Sequence, residues 1–406
     1  MSDFDIIIIG GGASGLCTAI NAKTKDNKIL IIDKSPRPGR KILATGNGKC
    51  NLSNKYCKVS LFDDNPEGIF QYFSEGSRAF IEEVIGLFDY DDTVRFFSRL
   101  GLLLKNKNGY IYPRTEQALS VLEVLENEIS RIGVNVLPDY RIRRITKENG
   151  LFVADGKYRA KNLVVSTGGL SSPKNDADGF GYEIAQGFGH SICRMRPALC
   201  SLECRGKIFR DISGVRTDSH IYLYDEDELI MKATGNVQFT DYGISGIPVF
   251  QISSEAGRLF AEGRKPSVRI DPLYDLSEEE LFKLIRPRKD NFLTGILNKN
   301  LALACEKTCQ GQGLKKNSGE YKKKLCTLAK NFYFEPEGLA PFKNSQVTAG
   351  GVSTDQIDPK TMQSKIESGL YFTGEVIDVN GICGGYNLQW AWSTGYICAN
   401  ALKKIK

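Results

Sequence analysis

Four consecutive isoleucines, Ile6 to Ile9, run straight into Gly10-Gly11-Gly12-Ala13-Ser14-Gly15, and this junction limits the fold more than any other segment. A short unbroken apolar run reads as a parallel strand buried on both faces. The glycines at 10, 12 and 15 match G-x-G-x-x-G. The first permits a tight turn, the second lets a phosphate approach the backbone, and the third lets the following helix lie close on the strand. Leu16 to Ala22 continues as helix, its amino end facing the anion. A second apolar run, Ile29 to Ile32, closes on Asp33 and Lys34, and an acid at that place bonds ribose hydroxyls. Strand, turn, helix, strand and acid together predict an α/β, Rossmann-like domain that binds a dinucleotide.

The far end of the sequence carries a complementary pattern. Leu370 to Thr373 reads as another apolar strand, ending in Gly374-Glu375, and a carboxylate there can accept bonds from the hydroxyls of a ribityl chain. Gly384, Gly385, Tyr386, Asn387, Leu388 and Gln389 then open a helix whose amino end favours negative charge, such as a reduced flavin carries. If both ends serve one ligand, flavin adenine dinucleotide (FAD) has the required length, and it is expected to be held non-covalently. A long loop supplies Arg40, Lys41, Thr45, Gly46, Gly48, Cys50 and Asn51, able to wrap a pyrophosphate and reach a ring system. The buried run Asn162 to Ser166 delivers Thr167, Gly168 and Gly169 to the same place. Only one dinucleotide fingerprint is present. NAD(P)H, as electron donor, is therefore expected to visit the flavin transiently rather than occupy a domain of its own.

Composition removes several other classes. Over 406 residues the net charge is +6, which does not argue for nucleic acid, and the lysines around 315–324 read as a solvated face. No segment approaches the roughly 18 apolar residues of a membrane span. The amino terminus shows no basic region before its first strand, and eleven irregularly spaced cysteines suit a reducing, cytoplasmic setting. No metal site is expected, since no cysteine pair has histidines at zinc-binding spacing. His190 and His220 are the only histidines, which excludes a mechanism built on several of them. The expected partner is a small-molecule substrate, with neither nucleic acid nor membrane; oligomeric state is open.

The pattern divides the chain into residues 1–190 and 345–406 as a discontinuous FAD domain, 191–270 as a β-rich insert for substrate, and 271–344 as a small helical insert. Residues 66–132 read as mostly helical, and Ser277 with Glu280 forms a capping box.

Gly39 to Asn54, Thr348-Ala349-Gly350-Gly351-Val352, Gly369 to Val379 and Gly384 to Ala391 together resemble a family of bacterial FAD-binding flavoproteins. That family includes aminoacetone oxidase-like and bile-acid reductase-like proteins. The resemblance spans essentially the whole chain and implies an FAD-dependent oxidoreductase. Two positions depart from the family pattern: Asp241 stands where a histidine is usual, and Cys383 where a threonine is common. The expected activity is NAD(P)H-dependent reduction of a conjugated, enone-like substrate. Alternatives are a flavin amine oxidase using oxygen on an aminoacetone-like substrate and a non-catalytic, flavin-containing RNA-associated or scaffold protein. Tyr386, Cys383, Asp241 and Ser172 are the candidates for a proton donor.

Overall fold

The structure, a computed structural model, describes residues 2–61, 68–172 and 177–404. The chain divides into two units, Met1–Arg196 with Val347–Lys406, and Pro197–Gln346.

In the first unit the isoleucine run lies in β1 (Ser2–Ile9), followed by α1 (Ala13–Ala22) and β2 (Ile29–Ile32). Ile6 to Ile9 are all at least nineteen-twentieths buried, because β1 is central and covered on both faces. It pairs in parallel with β2 on one side, and β2 pairs in parallel with β3 (Asn135–Leu137). The hairpin of β4 (Ile145–Glu148) and β5 (Leu151–Ala154) leads into β6 (Tyr158–Val165), which returns beside β1. The outer edge of β6 is shared. Its first half pairs antiparallel with β5, and its second half pairs in parallel with β7 (Leu370–Phe372), more than two hundred residues later. β1, β2, β6 and β7 thus end together, which brings Gly10, Asp33, Thr167 and Gly374 to one edge of the sheet.

The last helix, α2 (Tyr386–Lys404), packs on α1. Small residues make the approach possible. A Cβ on Gly395 would lie 2.7 Å from the carbonyl oxygen of Ser14, and Thr18 Oγ1 donates to Gly395 O at 3.2 Å.

Residues 66–132 are less helical than expected. Helices Arg78–Leu87, Tyr90–Arg99 and Ala118–Arg131 are interrupted by a hairpin, Leu104–Lys107 with Tyr110–Pro113, and residues 66–67 lie outside the described set. Asn108 and Gly109 adopt left-handed conformations at its turn.

The second unit is built on an antiparallel sheet whose longest strands, Arg216–Asp225 and Glu228–Thr240, form one hairpin. Helices Ile247–Ala261, Glu278–Ile285, Lys299–Gly311 and Gly319–Lys330 share a single apolar core with it. The β-rich and helical segments that the sequence suggested as two inserts therefore pack as one unit. The capping box at Ser277 and Glu280 is present, each side chain bonding the other's backbone amide.

Candidate functional site

The glycine turn shows three distinct constraints. At Gly10, φ is +97° and a Cβ would lie 2.5 Å from Ser166 O, so the turn needs glycine. At Gly15 a Cβ would sit 2.0 Å from Gly10 O, which the close seating of α1 forbids. A Cβ on Gly12 would meet no protein atom within 4 Å, although its φ of −76° suits any residue. The space over Gly12 lies at the amino end of α1, where exposed N–H groups favour an anion.

The remaining predicted residues are held in different ways. Asp33 Oδ2 accepts from the Gly11 amide at 2.6 Å and Oδ1 from the Ser35 amide at 2.7 Å, so this acid also fixes the turn. Lys34 forms an ion pair with Asp178 at 2.5 Å. Ala13 begins α1, and Ser14 Oγ donates to Thr373 O at 3.4 Å. Arg40 starts the short helix Arg40–Ala44, and Thr45 Oγ1 donates to Ile42 O at 2.6 Å. Gly46, Asn47, Gly48 and Cys50 all have positive φ, a tight left-handed excursion that turns Cys50 inward. Burial pushes the Cys50 thiol up to about 12.

Glu375 ties three segments together. Lys41 Nζ lies 2.6 Å from Oε2, the Gly169 amide donates to Oε2 at 3.3 Å, and the Thr348 amide donates to Oε1 at 2.9 Å. Thr348 Oγ1 in turn accepts from the amides of Leu170 and Ser171. Sequence reasoning did not place Thr348 in the site. Its signal was the threonine directly before Ala349-Gly350-Gly351, where both glycines have positive φ. Thr167 Oγ1 lies where a Cβ on Gly181 would be, 2.0 Å away, and Gly168 has φ of +72°. Gly374 donates its amide to Thr394 Oγ1 at 2.9 Å.

At the start of α2 the structure separates side chains that the sequence grouped. Asn387 closes the turn before the helix, bonding both the amide and the carbonyl of Gly381. Gly385 has φ of +98°, and a Cβ there would lie 2.7 Å from Ser53 backbone. Leu388 is half-buried beside them. Gln389, expected to touch the cofactor, bonds protein groups with its side-chain amide. It is fully buried, its Oε1 accepts from Ser53 and Thr93 hydroxyls, and its Nε2 donates to Phe88 O and Ser393 Oγ. The amide's donors and acceptors are all satisfied by these four partners. Gln389→Leu is expected to leave Phe88 O without this donor and lower unfolding free energy by about 2–4 kcal/mol, measured by denaturant titration.

The proton-donor candidates are divided between the two units, three in the first and one in the second. Tyr386 is 2% exposed and stacked on Tyr72 with ring centroids 4.8 Å apart. Burial raises its hydroxyl well above the usual range, so it is a poor acid at neutral pH. Cys383 is partly exposed next to Gly384, and burial pushes its thiol up to about 12. Ser172 holds a left-handed conformation with φ of +59° after the Thr167–Gly169 turn. Asp241 belongs to the second unit, exposed at the turn between Glu228–Thr240 and Gly243–Ser245.

A further acid was not anticipated. Asp378 is 6% exposed, its Oδ1 has no partner among the described residues, and burial raises its carboxyl above the ordinary 3.8. A carboxyl raised in the folded state favours folding at low pH, and that contribution fades as pH climbs through the raised value. Thermal unfolding from about pH 4 to pH 7 should show Asp378→Asn gaining on the parent as pH increases. The reverse trend would contradict this assignment.

FAD fits this cradle on observations of the protein alone. Backbone stands open over Gly12 and Gly48, where no atom lies within 4 Å of an added Cβ. Ser35 Oγ and Asn51 Oδ1 are buried without a partner among the described residues, and both flank the cradle. Fold and site define an FAD-dependent oxidoreductase.

The family model for the HI0933-like protein Rossmann domain matches residues 4–401, and the chain belongs to this HI0933-like family. It is 38% identical to the 3-dehydro-bile acid delta(4,6)-reductase of Clostridium scindens, over 97% of this chain and 98% of that protein. It is 31% identical to the ribosomal RNA dihydrouridine synthase of Haemophilus influenzae, over 98% of each. Among solved structures, the 3-ketosteroid delta1-dehydrogenase of Sterolibacterium denitrificans superposes with a TM-score of 0.54 at 11% identity, covering all of both chains, which speaks to fold alone.

Proposed function

We propose that this protein reduces a carbon–carbon double bond conjugated to a carbonyl, using electrons from NAD(P)H. The supporting observation is the 38% identity, along nearly the whole length, to a protein named as a delta(4,6)-reductase of a 3-dehydro-bile acid. The second relative is named for dihydrouridine, the product of saturating the 5,6-bond of uracil, which is conjugated to the ring's carbonyl. The two names share one reaction type on different carriers.

Bound FAD supplies two-electron transfer at its N5 position. The chain's own contribution is positioning. The open backbone at Gly12 and the amino end of α1 would hold the diphosphate, and Glu375, braced by Lys41, would accept ribityl hydroxyls. The amides at the start of α2 would favour negative charge at the far end of the cofactor. Eleven free cysteines are consistent with a cytoplasmic setting.

A small enone-like acid is the first substrate reading. A uracil ring carried on RNA is the second, favoured by the matches of 31% and 29% to ribosomal RNA dihydrouridine synthases of two organisms. The test is anaerobic mixing of the purified yellow protein with NADPH or NADH, then reoxidation with a 3-oxo-4,6-diene steroid acid or a uridine-containing RNA. Rapid bleaching followed by reoxidation with one carrier is the expected result. Failure of both nicotinamides to bleach the flavin, with peroxide released from an amine in air, would establish the oxidase instead.

A further inference from the structure

The hairpin Leu104–Lys107 with Tyr110–Pro113 is not used by the cofactor cradle, and one of its faces has an unusual composition. Lys105 stands opposite Tyr112 and Lys107 opposite Tyr110. Directly opposed residues of an antiparallel pair project to the same side, so two lysines and two tyrosines share one face. Asn54 pairs with Tyr110 from the next strand, and its Nδ2 donates to Gly384 O at 3.1 Å. The Tyr110 ring borders Gly384, with Cε1 3.1 Å from where a Cβ would be. This face therefore adjoins the turn that opens α2.

Lys105 and Lys107 both reach Glu116 Oε1 at 2.8 Å, and Lys49, one residue beyond Gly48, reaches Oε2 at 3.3 Å. Three cations on a single carboxylate leave an excess of two positive charges. Together they hold the Glu116 carboxyl down to about 2. The lysine side chains are 34–51% exposed, and ion pairs this exposed add little to stability. Stability gives no reason to crowd them. Their compactness matters: all three ammonium groups meet the same two oxygens, which suits a phosphate monoester with nearly two charges on three oxygens. A phosphodiester chain, with one charge per spaced nucleotide, would be matched by a strung-out row of cations instead.

We propose that Lys49, Lys105 and Lys107 receive the 2′-phosphate of NADPH, with Tyr110 available to stack on a ring of the same donor. This rests on the reading above that a reduced nicotinamide supplies the electrons.

The test uses the FAD-loaded protein and calorimetric titration with 2′,5′-ADP and with 5′-AMP, neither of which carries electrons. The 2′-phosphate should tighten binding at least about tenfold. Lys105→Gln with Lys107→Gln should abolish that difference, and Glu116→Gln, which removes the competing anion, should enlarge it. Equal binding of the two nucleotides, or a preference that survives the double lysine change, overturns the proposal. So does displacement of 2′,5′-ADP by a single-stranded RNA of much higher affinity, which would reassign the face to phosphodiesters. If 2′,5′-ADP follows the expected pattern while NADPH fails to bleach the flavin, the site stands and the nicotinamide reading falls. Bleaching by NADPH without that pattern has the opposite meaning.

Discussion

Gly12→Val is expected to fold and to lose its cofactor. The glycine's backbone is extended, so a branched side chain adds no torsional strain, and its Cβ would meet no protein atom within 4 Å. The added methyls would instead occupy the space where a diphosphate approaches the backbone. Affinity for FAD should fall on the order of a hundredfold, about 2.7 kcal/mol. Stability of the cofactor-free protein should stay within about 1 kcal/mol, the difference between glycine and valine at a helix start. Flavin fluorescence titration and thermal unfolding measure the two quantities separately. Gly15→Ala makes the contrast, because its Cβ would collide with Gly10 O at 2.0 Å. Backbone rather than a flexible side chain must then move, and we expect about 3 kcal/mol of destabilisation even without cofactor. Equal behaviour of the two variants would refute the division of labour among these glycines.

Glu375→Ala should affect both quantities at once. Its carboxylate joins Lys41 from the short helix after β2, Gly169 from the turn after β6 and Thr348 from the segment before Gly350. Lys41 and Glu375 side chains are 32% and 17% exposed, so their pairing is only partly screened by water. Truncation leaves a half-buried ammonium and two amides without their acceptor, a loss of about 2–3 kcal/mol. FAD should bind at least tenfold more weakly. Glu375→Gln separates the contributions: it keeps an oxygen for the Thr348 amide but loses the charge facing Lys41. We expect it to recover most of the stability and little of the affinity. Denaturant titration and flavin binding on all three proteins decide the matter.

How much of this was legible beforehand follows from how local each signal is. The strand–glycine–helix unit at residues 4–33 is specified by neighbours in sequence, through an unbroken apolar run and fixed glycine spacing, and the Cβ contacts at Gly10, Gly12 and Gly15 agree with that spacing. The bonds of Gln389 were not legible because its partners Ser53 and Thr93 lie about three hundred residues away. Helical spacing places a residue on a face, but it does not say which face meets the cofactor and which meets Tyr90–Arg99. The hairpin at 104–113 was hidden for a related reason. Leu102-Leu103-Leu104 fits a helix as well as a strand, and only the turn at Asn108-Gly109 argued otherwise. Asp378 and Thr348 were quoted within motifs but not recognised, since burial and bonding, rather than residue type, make them distinctive.

The seam between α1 and α2 bears on how the protein is made. Gly395 and Gly374 are shaped to Ser14, a residue synthesised more than three hundred positions earlier. Domains ordinarily start folding from the amino terminus as the chain emerges. Here the flank of α1 that meets α2 stays uncovered until translation has passed residue 395. Flavin capture should therefore be a late event in biogenesis, and stalled or truncated chains should emerge colourless however well their first thirty residues have formed.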